Sequence, residues 1–141
     1  SAEKAALEAG PSGRRRALLI DDSPFFRNLL APLLSVAGWQ VTALDSAQAA
    51  LDMRDRGAAF DVIISDIEMP GMNGFEFANE VRRGGSWEKV PMVALSAHAT
   101  SADFERGRDA GFNDYVAKFD REALVSSLAQ TVAGAAAGSA D

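Results

Sequence analysis

The chain has 141 residues, 48% of them hydrophobic and 24% charged, which is the balance of one ordinary globular domain. With no Cys and one His, a disulfide framework, a thiolate or multi-histidine metal site and a cysteine nucleophile are all excluded. The 14 Lys and Arg against 20 Asp and Glu give a net charge of -6, which disfavours nonspecific binding to nucleic acid or anionic lipid, and no apolar run approaches the ~18–20 residues of a membrane span.

In chain order, residues 1–14 read as linker or disordered: they are Ala-rich, broken by Gly10-Pro11-Ser12-Gly13, with one frayed helical turn around Ala5 to Ala9. The chain starts with Ser inside this linker, and we expect a piece of a longer protein. No signal-peptide hydrophobic region follows Arg14 to Arg16, because the apolar run Ala17–Ile20 stops at two aspartates. That run reads as the first strand. Ser23-Pro24 then caps and opens a helix with Phe26, Leu29, Leu30, Leu33 and Leu34 at helical spacing, a kink expected at Pro32, and an end at Gly38. Trp39–Leu44 reads as a second strand, mixed enough in composition for a sheet edge.

Ser46 caps a second helix with Ala47, Ala50 and Leu51 on one face, and Val62–Ser65 is the third strand. Asn73-Gly74 leads into a third helix, packing Phe75, Ala78 and Val81 or Phe77 inward. Met92–Leu95 is the fourth strand, Ser101–Ala110 the fourth helix, Tyr115–Ala117 the fifth strand and Arg121–Val132 the fifth helix. Residues 133–141 read as a disordered tail of Ala, Gly and Ser, leaving 15–132 as the domain. Trp39 and Trp87 read as packing residues. Strand and helix alternate through the domain, which predicts a parallel sheet with helices on both faces.

In such a sheet the carboxyl ends of neighbouring strands meet along the edge where ligands bind. Asp21-Asp22 follows the first strand and Asp66 the third, so adjacency of those strands would bring the carboxylates together. Oxygen ligands with room for water suit Mg²⁺. Ser96 after the fourth strand and Lys118 after the fifth reach the same rim. A cation site, a nucleophilic carboxylate and fixed donors are the parts that phosphoryl transfer needs. Each residue alone has an ordinary reading: the Asp pair as a helix cap, Ser96 as a loop hydroxyl, Lys118 as a surface charge and Tyr115 as packing. Their joint occurrence at successive strand ends favours a site.

The segments Leu19-Ile20-Asp21-Asp22-Ser23, Ile64 to Gly74 (ISDIEMPGMNG), Ala94-Leu95-Ser96-Ala97 and Asp114-Tyr115-Val116-Ala117-Lys118 resemble the receiver domain of two-component response regulators, the CheY-like family. The likeness covers about Arg15 to Val132. It implies a flavodoxin-like (βα)5 fold, an α/β architecture with a five-stranded parallel sheet of order 2-1-3-4-5. It implies that Asp66 is the phosphoacceptor, that Asp22, Asp66 and the Glu68 backbone carbonyl bind Mg²⁺, and that Asp21 acts through water. Lys118 would neutralise the phosphoryl group, Ser96 would hydrogen-bond it on switching, and the Tyr115 rotamer would follow. Glu68 and His98, each two residues beyond a site residue, would set how long the phosphoryl group survives.

Lys118 is followed by Phe119 where the family commonly has proline, often with a cis bond before it; with Phe there the peptide should be trans. Lys118-Phe119-Asp120-Arg121 and Ser23-Pro24-Phe25-Phe26-Arg27 resemble the C-terminal receivers of hybrid chemotaxis kinases of the CheA type. The resemblance implies a cytoplasmic chemotaxis phosphorelay domain that catalyses its own aspartyl phosphorylation and dephosphorylation. Its partner would be a histidine phosphotransfer domain or histidine kinase, with no nucleic acid or membrane partner. The rivals are a free-standing regulator docking through Ala97 to Gly107 and Tyr115, a phosphatase of the haloacid dehalogenase type, and a degenerate binding module. The phosphatase class places an Asp-x-Asp motif after the first strand, whereas here the lone nucleophile follows the third.

Overall fold

The computed structural model describes residues 15–139, so the linker and frayed turn read over 1–14, and residues 140 and 141, lie outside the described residues. Five strands, β1 (Arg16–Ile20), β2 (Gln40–Leu44), β3 (Val62–Asp66), β4 (Met92–Ser96) and β5 (Asp114–Ala117), form one parallel sheet of order β2-β1-β3-β4-β5. The helices are α1 (Pro24–Val36), α2 (Ala47–Asp55), α3 (Gly74–Arg83), α4 (Ser101–Ala110) and α5 (Arg121–Ser139). This is the expected flavodoxin-like order, with the mixed strand β2 at an edge.

Period-2 alternation along each strand divides the core into two layers. Leu18, Ile20, Ile63, Met92 and Ala94 face one side and pack with Leu51, Phe77, Val81 and Trp87. Ala17, Leu19, Ile64, Val93 and Leu95 face the other, against Leu30 and Leu34 of α1 and Leu124 and Leu128 of α5. Because both faces are covered, β3 and β4 are buried at every residue, which explains their continuous apolar runs. Trp87 is fully packed and its indole N–H donates to the Ala58 carbonyl at 2.8 Å, so its one polar atom is satisfied.

The caps are local. Ser23, Ser46 and Asn73 each accept a backbone N–H in the first turn of α1, α2 and α3, and Asn73 with Glu76 completes a capping box. In α3 the buried residues are Phe77, Ala78 and Val81, while Phe75 is only partly covered. Pro32 lies within α1, which runs through it to Val36, and its side chain is exposed. The helix expected to end at Val132 continues to Ser139, through most of the stretch read as a disordered tail. Ala is the best helix former, and Ala133 with Ala135 to Ala137 outweighs Gly134 between them and Gly138 after them.

At the amino edge of the sheet, Arg82 donates to the carbonyls of Gly111, Glu88 and Val90 and to Asn113 Oδ1, tying α3 to the entries of β4 and β5. Asn113 Oδ1 also accepts from the Met92 N–H, so the register of β4 against β5 is fixed far from the carboxyl edge. The expected site lies at that opposite edge.

Candidate functional site

Strand pairing sets the site before any side chain is considered. Ile20 pairs with Ser65, Asp66 with Leu95 and Ser96 with Ala117, so the residues leaving β1, β3, β4 and β5 lie side by side. Backbone bonds carry the alignment past the strand ends: Asp21 N–H donates to Leu44 O, Ile67 N–H to Leu95 O and Lys118 N–H to Ser96 O. Carboxylate oxygens of Asp21, Asp22 and Asp66 all fall within 4.8 Å of one another. The adjacency on which the carboxylate cluster depended is present.

Asp21 is fully buried, Asp66 nearly so, and Asp22 is exposed. Asp21 Oδ1 accepts the Ser23 N–H at 2.9 Å, and Arg27 Nη1 donates to the Asp21 carbonyl at 2.7 Å, fixing the loop between β1 and α1. Lys118 Nζ bridges the pair, 2.9 Å from Asp21 Oδ2 and 3.3 Å from Asp66 Oδ1. Asp21 Oδ2 thus has a charge partner but no aligned hydrogen bond, leaving lone pairs of a buried carboxylate unused. Asp66 is pushed up to about 6, chiefly by burial and then by the Asp21 charge; Lys118 opposes both through its charge and its hydrogen bond, and Asp22 adds a smaller push. An acid so placed is costly to ionise until a further cation or an electrophile arrives.

Ser96 ends β4 and Tyr115 lies in the neighbouring β5. Ser96 is buried and its Oγ accepts the His98 N–H at 3.1 Å. Tyr115 is buried beneath α4, tilted against Phe104 with ring centroids 6.0 Å apart. Burial raises the Tyr115 phenol, and a hydrogen bond to Ser96 pulls the other way. Glu68 and His98 are both exposed on the loops that follow β3 and β4. The peptide after Lys118 is trans, as Phe119 predicts.

Residues 17–129 match the response regulator receiver domain family. The chain belongs to it. Among solved structures, the receiver is similar to the chemotaxis response regulator CheY4 of Vibrio cholerae, at 31% identity over 84% of this chain and 99% of that one, with a TM-score of 0.77. It is likewise similar to the receiver domain of a sensor histidine kinase from Pseudomonas aeruginosa PAO1, which holds a magnesium ion in its active site cleft: 30% identity, 86% and 99% coverage, TM-score 0.76. The sensor histidine kinase CheAY of Helicobacter pylori is 33% identical over 72% of this chain, which spans only 13% of that protein. Two-component signalling is therefore the function at family level, with histidine kinases or phosphotransfer domains as partners.

Receiver domains bind Mg²⁺ in an acidic pocket, and the residues here fit that ion. The donors are all oxygens, they converge within one ion's reach, and a buried carboxylate oxygen lacks an aligned hydrogen bond. Among the described residues, no helix is long and apolar enough to cross a membrane.

In the sequence Phe26 reads as part of the apolar face of α1 and of a segment that carries the family resemblance. Its ring also lies under Lys118, with Nζ 4.0 Å from the ring centroid. Phe119, which stands where the family commonly has proline, meets that ring edge to face at 5.4 Å. No periodicity signals such a contact, because it joins the first turn of α1 to the loop after β5.

Proposed function

We propose that the domain takes a phosphoryl group from phosphohistidine onto Asp66. The observation that carries this is the convergence of Asp21, Asp22 and Asp66 with the Lys118 ammonium at the carboxyl edge of the sheet. An Asp66 carboxylate oxygen attacks phosphorus; a P–O bond forms, the P–N bond breaks, and the imidazole leaves with the electron pair and takes up a proton. Asp22, Asp66 and the Glu68 carbonyl would hold Mg²⁺, with Asp21 acting through water, and the ion would supply positive charge against the transferring oxygens. Lys118 pairs with the phosphoryl oxygens from the β5 side. Ser96 then donates its hydroxyl to the new group, and Tyr115 follows Ser96. Hydrolysis, with water attacking phosphorus and the P–O(Asp66) bond breaking, returns the carboxylate.

Glu68 and His98 overhang the path of that water. The Glu68 carboxylate repels the anionic phosphoryl group, whereas an amide in its place would orient the water without that repulsion. The similarity to CheAY and the Lys118-Phe119-Asp120-Arg121 segment support a finer reading: a cytoplasmic receiver over 15–132, preceded by a linker, within a hybrid chemotaxis kinase. A free-standing regulator is the second reading, supported by near-complete coverage of CheY4.

The test is incubation with phosphotransfer domains charged with labelled phosphate, followed by decay of the label. Transfer to the parent chain but not to Asp66→Asn is the expected result, with faster loss of label from Glu68→Asn. Label on Asp66→Asn would overturn the phosphoacceptor assignment, and unchanged decay in Glu68→Asn would overturn the role of Glu68.

A further inference from the structure

We infer that Phe26 is a positioning residue for Lys118, holding its ammonium over the Asp21–Asp66 pair through the face of the ring, with Phe119 holding the ring in turn. The inference rests on the phosphoacceptor reading of Asp66 and goes beyond it, because it identifies what aims the lysine.

An ammonium has three N–H donors and no acceptor. Lys118 Nζ has Asp21 Oδ2 at 2.9 Å and Asp66 Oδ1 at 3.3 Å, and on its remaining side the Phe26 ring at 4.0 Å from the centroid. The side chain is only 9% exposed, so bulk water does not solvate that third side freely. A π face is the one weak acceptor there, and its attraction for a cation grows as water is excluded.

The ring itself is anchored at both ends. Its backbone N–H donates to the Ser23 Oγ cap, and Arg27, the next residue, is bonded to the Asp21 carbonyl. Phe25 and Phe119 then meet the ring edge to face, each with centroids 5.4 Å away. Both flanking rings are largely exposed, 67% and 73%, so they contribute little to the core. Their packing is on Phe26, at the site where Lys118 emerges. On that side the flexible four-carbon stem is confined by a ring face and not by a further hydrogen-bond acceptor that would compete with an incoming phosphoryl oxygen. The positioning is an orientation effect: the ammonium is already where charge will develop.

The experiment uses the whole chain with acetyl phosphate and Mg²⁺, measuring the rate of phosphorylation and the affinity for beryllofluoride. Phe26→Leu keeps an apolar side chain but removes the π face, and both quantities should fall about 5- to 20-fold. Phe26→Tyr should restore them, and Phe119→Leu should give a smaller loss in the same direction. Fluorinated phenylalanines at position 26 keep size while weakening the ring face, so the rate should fall stepwise with fluorine number. The Lys118 ε-methylene protons should show an upfield ring-current shift in the parent that disappears in Phe26→Leu, a readout independent of activity. Rates insensitive to fluorination, or ε-protons at ordinary positions in the parent, would overturn the inference. Asp66→Asn run beside them separates the two claims: label on that variant overturns the underlying phosphoacceptor reading, whereas a flat Phe26 series with an inert Asp66→Asn overturns only the positioning.

Discussion

Asp66 holds its proton to about pH 6 because it is buried beside Asp21, and this couples the site to stability. Below the ordinary value of 3.8 the carboxyl is protonated whether the chain is folded or not, and the folded state bears no penalty from it. As pH rises from there through about 6, the unfolded chain releases the proton first, so the folded state loses stability across that window. In chelator, Asp66→Asn should therefore be more stable than the parent by about 2 kcal/mol at about pH 7.5, with the gain vanishing near pH 4. Urea unfolding at the two pH values checks this. A gain that persisted at the lower pH would mean that packing, not ionisation, distinguishes the variants. The convergence of Asp21, Asp22 and Asp66 is legible in the sequence because they lie at or just after the carboxyl ends of strands, which meet along one edge of a parallel sheet. The Phe26 contact is not legible, since it depends on ring orientation and on a loop from the far end of the chain.

At the scale of elements, α4 depends on a missing side chain. A Cβ on Gly107 would lie 2.6 Å from Tyr115 Cδ2, so the helix approaches β5 closely only because Gly107 has none. Gly107→Ala should push the Tyr115 ring toward solvent. Tyr115 is the chain's single tyrosine, so phenolate absorbance reports it alone. Burial holds its phenol above the usual 10.0, and in Gly107→Ala the titration should move down toward that value. A titration unmoved or raised would show that the helix, not the ring, yields. Gly74 makes a similar demand beside the site: its Cβ would meet the Asp66 carbonyl at 2.5 Å. Most element ends follow from caps and apolar periodicity. The helix α4 begins at Ser101, as the sequence predicts, and Thr100 caps it, paired with Asp103 in a capping box. The end of α5 differs more, because composition alone does not separate an Ala-rich helix from an Ala-rich tail.

Across the whole molecule, the sheet separates stability from chemistry. Arg82 and Asn113 fix the amino edge, the two apolar layers fill the middle, and the carboxylates with Lys118 crowd the carboxyl edge. The fold is readable from sequence because strand and helix alternate with clear punctuation, and the order β2-β1-β3-β4-β5 is what places Asp66 next to Asp21. The phosphoacceptor assignment is tested most directly by phosphorylating the chain with acetyl phosphate and Mg²⁺, reducing with borohydride and mapping the product by mass spectrometry. An acyl phosphate is reduced where it stands, converting that aspartate to homoserine. The predicted result is homoserine at position 66 and at no other, dependent on Mg²⁺. Homoserine at Asp21 or Asp22, or a phosphoryl group recovered on His98, would contradict it.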